Sequence, residues 1–399
     1  MSIEQSLESN QLIEAIVAPG NYRSTATVNI DGGQFVAWTE TSIPNDPSAT
    51  PWLPPLTVTA MTQGHALSFN QPVDSAAYAG SLAAQEKLLE WYPDRLHNSE
   101  VKTTDTKVAE GAPGRGVGCF FSGGVDSFYT ALKHLDSITH FIVIHGLDIS
   151  LTNEPLWHET VGHIRMIASA LGKELIEVKS NVRVLHAKFG PHWQDQAHGA
   201  FLAHVGLLLS PHLKAVYIPA SDDKSRLKPL GTHPDLDPLW SSDEVSLIHD
   251  GVEASRVEKL EYLKSSDVAM KHLRVCWSNL SGMYNCGKCE KCVRTMIGLH
   301  IVRASDRCAT LPSKISPRAV QSMYLRAGGS GGELMAEENM RALAARSQTD
   351  SPLYRALDRS LHRGRLANLA IKLKFYAIDV GFGLIRYRIR QRSTTSMSN

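Results

Sequence analysis

Hydrophobic positions alternate with polar ones early in the chain. Arg23 to Asn29 and Gln34 to Thr39 do so on either side of Asp31-Gly32-Gly33, a pattern that predicts a β-hairpin. A proline-rich stretch, Ser42 to Pro55, reads as a loop, and Leu56 to Ala60 with Ala66 to Phe69 reads as two further strands. From Asp74 to Trp91 the period changes to that of a helix, capped by Asp74 or Ser75, with an apolar stripe that includes Ala77, Leu82, Leu88 and Leu89. Residues 1–98 are therefore expected to form a small α+β accessory or dimerisation module, acidic by count. Residues 99–116 are polar and glycine-rich and read as a linker.

Beyond the linker, apolar runs alternate with helical periods. Val117 to Phe121, Thr139 to His145, Glu174 to Val178 and Ala215 to Pro219 are strand-like, and Glu154 to Leu171 and Gly199 to Leu209 are helical. That rhythm predicts an α/β fold, a doubly wound parallel sheet with helices on both faces. In such sheets ligands gather beyond the carboxyl ends of the strands. Four polar segments fall there: the loop at Ser122, Gly146-Leu147-Asp148, Ser180-Asn181 and Ser221-Asp222-Asp223.

The first of these has the most to offer chemically. In Cys119-Phe120-Phe121-Ser122-Gly123-Gly124-Val125-Asp126-Ser127 a buried strand breaks on two glycines and passes at once into a helix. The apolar positions of that helix are Val125, Phe128, Tyr129, Leu132 and Leu135. The plainer reading is a corner with Asp126 or Ser127 as N-cap. The sharper one is an anion site, because unpaired N–H groups and the positive end of a helix dipole meet there. The Gly-Lys-Ser/Thr ending of a Walker loop is absent.

Cysteine placement adds a second chemistry. Four of the six cysteines, Cys276, Cys286, Cys289 and Cys292, are spaced C-x9-C-x2-C-x2-C. Four thiolates complete a tetrahedral shell, so the cluster reads as a structural zinc knuckle, with a [4Fe–4S] cluster as the rival. Cys119 reads as a core residue, and Cys308, beside Arg307, is a weak candidate nucleophile.

Together the two motifs resemble the N-type ATP pyrophosphatases and, within them, the zinc-bearing 7-cyano-7-deazaguanine synthase family. Ser122 to Ser127 looks like the Ser-Gly-Gly-x-Asp-Ser pyrophosphate loop, Ser255-Arg256-Val257-Glu258-Lys259 like a Thr/Ser-Lys-x-Glu segment with arginine in the lysine position, and Arg274-Val275-Cys276-Trp277 and Cys286 to Arg294 like the metal-binding stretches. The resemblance covers roughly residues 117–300 and implies an adenine-nucleotide α-hydrolase-like (HUP) domain over 117–308. It implies ATP and Mg²⁺, with the backbone of Ser122, Gly123, Gly124 and Val125 and the hydroxyls of Ser122 and Ser127 on the phosphates, Asp126 on the metal and Asp148 near the nucleotide. Arg256 and Lys259, with Lys224 and Arg226 behind them, would neutralise charge; taken singly, each reads as a solvated surface charge. Zn²⁺ would sit in the cysteine knuckle. The implied reaction is attack by a carboxylate, or another oxygen, on the α-phosphate of ATP, loss of pyrophosphate, and displacement of AMP by ammonia or an amine. A sulfur-transfer enzyme acting on RNA and a non-catalytic nucleotide-binding scaffold are the alternatives. The acceptor would be a small-molecule or macromolecular carboxylate. The loop from Ser221 to Trp240, where substrate would be read, carries Asp222, Asp223, Lys224, Arg226, His233, Asp235 and Asp237.

Residues 309–399 form an extension. Gly328 to Gly332 reads as a joint, and Leu334 to Ala345 and Leu353 to Leu361 as helices. From Arg355 onward the tail is basic around an apolar stretch, Leu366 to Ile389, for which a covering helix pair, a membrane-surface helix and, last, a nucleic-acid patch are the readings. A net charge of +1 selects no partner class. No secretory leader is visible, no apolar run reaches a membrane span of roughly 18 residues, and clustered cysteines suit a reducing compartment. Cytoplasm is the expected location; a homodimer is one assembly open to the chain, and the sequence does not fix the oligomeric state.

Overall fold

A computed structural model describes residues 12–18, 20–109, 111–277, 283–323, 325, 331–364, 366–371 and 373. The chain divides into two compact units, one of residues to Ser122 together with Asp126–Ala254, the other of Gly123–Val125 with residues from Ser255 onward.

The first unit is built on one ten-stranded sheet. Its elements in order are β1 (Leu12–Ala18), β2 (Arg23–Ile30), β3 (Gly33–Thr41), α1 (Leu53–Gln63), β4 (Ala66–Phe69), β5 (Val73–Asp74), α2 (Ser75–Trp91), β6 (Val101–Lys102), β7 (Thr106–Lys107), β8 (Gly116–Phe120), α3 (Val125–Lys133), β9 (His140–His145), α4 (Glu154–Ala170), β10 (Glu174–Ser180), α5 (Val182–Phe189), α6 (His198–Leu208), β11 (Leu213–Pro219) and β12 (Ser246–Asp250). The strand order is β12-β11-β8-β9-β10-β3-β2-β1-β4-β6, and β5 pairs separately with β7.

Residues 1–98 therefore do not stand apart as a module, and 99–116 is not a joint between domains. β3 runs antiparallel to β10, with Val178 opposite Thr41 and Ser180 opposite Thr39, and so carries the hairpin straight onto the parallel half of the sheet. An unpaired strand edge in a buried sheet would leave a row of N–H and C=O groups without partners, and β3 supplies those partners.

The β2–β3 hairpin forms as its sequence predicts. Ile30 pairs with Gly33, and Asp31 and Gly32 take φ of 50° and 72°, the two left-handed residues of a tight turn matched to strand twist. Exposure alternates strictly along β1, a half-buried antiparallel pattern, whereas β9 is buried from Phe141 through His145 because both its faces are covered. Leu56 to Ala60, expected as a strand, lies inside α1. Pro54 and Pro55 open that helix, every residue from Leu53 to Met61 is buried, and Gly64 closes it at φ 69°. A helix buried all round shows no amphipathic period, so its sequence imitates a strand. Asp74 does cap α2, accepting the Ala77 N–H at 2.9 Å, but Leu82 lies on the exposed side.

Parallel strands β8, β9 and β10 wind outward in one direction, and β11 and β12 then lie on the other side of β8. The carboxyl ends of β8 and β11 thus mark the point where the winding reverses, the place an open α/β sheet offers to a ligand.

The second unit is helical: α7 (Arg256–Leu263), α8 (Asp267–His272), α9 (Glu290–Ile301), α10 (Pro317–Gln321), α11 (Gly331–Ala344) and α12 (Pro352–Leu361). Gly331 and Gly332, expected in a joint, open α11, and Gly328 to Ser330 lie outside the described residues. α12 buries Leu353, Ala356, Leu357 and Ser360. Most of the basic tail, from Lys374 on, also lies outside the described residues, and among those described no helix is long and apolar enough to cross a membrane.

Candidate functional site

The corner after β8 is formed as the sequence suggests. β8 ends at Phe120, Phe121 and Val125 are buried, and α3 begins at Val125 with Asp126 in its first turn. Gly123 takes φ +74°, a backbone state that any side chain would strain. Ser122 is exposed, Gly124 and Asp126 are half-buried and Ser127 is buried. The far half of α3 is anchored to β12. Asp250 accepts hydrogen bonds from Thr130 Oγ1 and Lys133 Nζ, both at 2.8 Å, and pairs with His134 Nε2 at 2.9 Å. Burial alone would raise the Asp250 carboxyl, but these three donors outweigh it and hold the group below the usual carboxylate range. Glu253 joins the same anchor through Lys133 and Tyr129.

Across the switch point, the loop after β11 is locked from within. Asp223 accepts from Ser225 N at 2.9 Å and Arg226 Nε at 2.8 Å, so Arg226 is an ion-paired, half-buried residue and not a solvated one. Asp237 is completely buried and pairs with His249 Nδ1 at 2.7 Å; burial pushes its carboxyl up. Asp148 is exposed in the turn after β9, where Gly146 takes φ +105° and donates to Ile149 O at 3.0 Å. Ser180 and Asn181, two of the residues expected at a ligand, are occupied with the sheet itself. Ser180 meets Thr39 Oγ1 at 2.8 Å, and the Asn181 side chain accepts Trp38 N–H at 2.7 Å and donates to Val36 O at 2.9 Å. His198 begins α6 with Nδ1 2.7 Å from Thr232 Oγ1.

In the second unit the four cysteines converge. Their Sγ atoms all lie within 4.8 Å of one another, and the Cys276–Cys289 and Cys286–Cys292 pairs are each 3.9 Å apart. Four sulfurs at about 2.3 Å from one tetrahedral ion stand about 3.8 Å from each other, so the set fits a single metal ion. A cubane cluster would interpose four irons and four sulfides and hold its ligand sulfurs much further apart.

The local sequence explains the convergence. Gly287 takes φ +65°, which turns the chain so that the Lys288 and Cys289 N–H groups point back at Cys286 Sγ, at 3.5 and 3.2 Å. Cys289 is the N-cap of α9 and Cys292 lies in its first turn, where the helix dipole favours thiolate. Contacts with the other sulfurs pull the Cys276 thiol down, led by Cys286. Cys286 is raised by Cys276 but lowered more by Cys289 and Cys292, to about 6. Cys289 and Cys292 are pushed up, Cys276 being the largest cause for both. Four adjacent thiols cannot all ionise together, and a bound cation removes that conflict.

Asn285, which the sequence reading did not single out, holds the cluster's two arms together. Its Oδ1 accepts the N–H groups of Val275 and Cys276 at 2.9 and 3.0 Å, and its Nδ2 donates to Leu273 O at 2.8 Å. An Asn immediately before a metal-ligand cysteine was the available signal. The other two thiols are placed otherwise. Cys119 is fully buried in β8, its thiol pushed up by that burial, and Cys308 is buried with its sulfur 3.6 Å from Thr310 Oγ1.

Arg256 and Lys259 begin α7, and both are buried, Lys259 at 1% exposure, so neither is the solvated charge it would be on an ordinary helix. The helix start is fixed by a capping box, with Ser255 N donating to Glu258 at 2.8 Å, and by Glu338, which accepts the Val257 N–H at 2.8 Å. Arg274 and Arg294 are also buried, and Arg294 pairs with Glu290 at 3.3 Å. Among the described residues of the second unit, Arg256, Lys259, Arg274 and Arg294 are thus basic side chains held in the interior, where a charge is kept only in paired company.

Comparison of the chain with protein-family models, with curated proteins and with solved structures finds no match.

Proposed function

We propose that the chain is an ATP-dependent enzyme of the N-type pyrophosphatase kind, on a HUP-like sheet, which adenylates a carboxylate or other oxygen and then transfers the activated group to ammonia or an amine. The observation that carries the reading is the position of the Ser122–Ser127 corner. A left-handed glycine and a helix start lie at the carboxyl end of β8, where the winding of the parallel strands reverses.

In this reading the N–H groups of the Gly123–Val125 turn and the Ser122 and Ser127 hydroxyls meet the β and γ phosphates, and Asp126 holds Mg²⁺. Arg256 and Lys259 are the residues that the resemblance assigns to the charge of the polyphosphate, and Asp148 is the one it assigns to the nucleotide. The substrate oxygen attacks the α-phosphorus and the bond to the β-phosphate oxygen breaks, releasing pyrophosphate. The amine then attacks the activated carbon, AMP leaves, and the amine proton passes to solvent. Zinc is the metal that best suits the cysteine set, and its role is structural because four thiolates leave no open position. Reduced thiols around such an ion suit a cytoplasmic setting.

Purified protein supplied with ATP, Mg²⁺, ammonium and a panel of carboxylic acids is expected to release pyrophosphate. Asp126→Ala is expected to lower that release by about 100-fold or more, as removal of a phosphate-metal ligand should. No release with any acid, together with no binding of Mg·ATP, would overturn the proposal.

A further inference from the structure

The cysteine cluster and the glycine turn belong to the same compact unit, and the chain that leads into the cluster also forms the wall of the turn. Gly123 O accepts the Arg274 N–H at 2.8 Å, two residues before Cys276. A Cβ built on Gly123 would lie 3.6 Å from Arg274 Cβ, 3.6 Å from Tyr284 Oη and 3.9 Å from His272 O. Tyr284 stands two residues before Cys286, and its hydroxyl donates to His272 O at 2.7 Å. One arm of the cluster thus hydrogen-bonds the turn, the other covers it, and Asn285 ties the arms to each other.

We infer that metal bound by the four cysteines sets the conformation of the Gly123 turn and so the nucleotide affinity of the site, with Asn285 and Tyr284 as the positioning residues. The inference rests on the nucleotide-binding reading given above. Its physical basis is that residues 273–277 and 283–289 form neither helix nor strand. These arms are held by burial of Leu273, Val275 and Tyr284 and by hydrogen bonds such as those of Asn285, and an ion shared by all four sulfurs would join their cysteines directly. Without the ion the arms separate, and Gly123 loses the Arg274 N–H and its covering wall. A left-handed turn populated only part of the time binds its ligand more weakly in proportion to that fraction. Coupling of two sites is reciprocal, so nucleotide should also slow loss of the metal.

The test uses the full chain, metal-loaded and chelator-stripped, with metal content measured directly. Hydrogen–deuterium exchange is followed in the peptide spanning 119–128 and, as control, in the hairpin 23–41, and Mg·ATP binding is measured by calorimetry. Stripping should raise exchange around Gly123 by roughly tenfold while the hairpin stays protected. Asn285→Ala and Tyr284→Phe should keep one equivalent of metal yet raise exchange in the same peptide and weaken Mg·ATP several-fold. If stripping also opens the hairpin, these two variants carry the test, since they retain metal. Unchanged exchange around Gly123 in stripped protein, or in both variants, overturns the inference. Loss of protection with no Mg·ATP binding in any form removes the nucleotide reading and leaves the mechanical coupling standing.

Discussion

Two histidines are held neutral inside the first unit, and both hold the start of α1. His204 presents Nδ1 to Pro51 O at 2.7 Å and Nε2 to Thr39 Oγ1 at 2.8 Å, with its ring 4.4 Å from that of Trp52. His186 reaches Pro55 O at 3.2 Å. Burial lowers His204 to about 3 and His186 to about 4. The unfolded chain, with histidines near 6.5, binds protons that the folded chain refuses. The stability these groups contribute is therefore complete above pH 6.5 and is lost as pH falls toward 4 and then 3. At pH 5 the loss is about 2 kcal/mol for each histidine. Urea unfolding followed from pH 7 to 4.5 should show a falling midpoint, and His204→Gln should flatten that fall by about half. An equally steep fall in the variant would mean that other groups take up the protons.

At the scale of the element, the corner between β8 and α3 depends on one residue's handedness. Gly123→Ala meets no hard clash, since the nearest atoms would be 3.6 Å away, so its cost is the left-handed backbone, about 1–2 kcal/mol. Mg·ATP affinity is expected to drop by about tenfold or more with little change in the far-UV spectrum, because the turn must rearrange while α3 stays anchored by Asp250. Retention of wild-type affinity would show that the turn does not touch the nucleotide. This corner was legible in the sequence because its signals are local: two glycines, a strand before and a helical period after. The metal knuckle was legible for the same reason, through cysteine spacing. α1 was not, because Leu56-Thr57-Val58-Thr59-Ala60 is buried on every side and the prolines at its start read equally well as loop. Ser180 carries no local signal of its role, which depends on a partner 141 residues away, and Asn285 carries only its place before Cys286, the backbone it ties lying 10 residues back.

For the whole molecule, the continuous sheet is the decisive feature. β3 covers the edge of β10, and α1 and α6 pack in the same core as Trp52, Phe201 and Leu247. A fragment that starts at 117 should lack this cover, expose the β10 edge and the apolar face beneath it, and aggregate, whereas the full chain stays dispersed. Size-exclusion chromatography with circular dichroism checks this; a monomeric, folded 117–399 fragment would show that the first hundred residues are an appendage after all.

The sequence by itself determined the pieces whose cause lies within a few residues: the hairpin turn at Asp31-Gly32, the capped helix after Asp74, the glycine corner, the cysteine ligands and the alternation of strands with helices. Tertiary structure alone decided which strands are neighbours, that β1 to β4 share one sheet with β8 to β12, that Arg256 and Lys259 are buried and Arg226 is ion-paired, and that the cysteine arms enclose Gly123. The division has one physical reason. Turn, cap and ligand preferences are short-range energies written into adjacent side chains. Strand order, by contrast, is set by the joint requirement that every buried backbone group and apolar face find a partner somewhere along the whole chain.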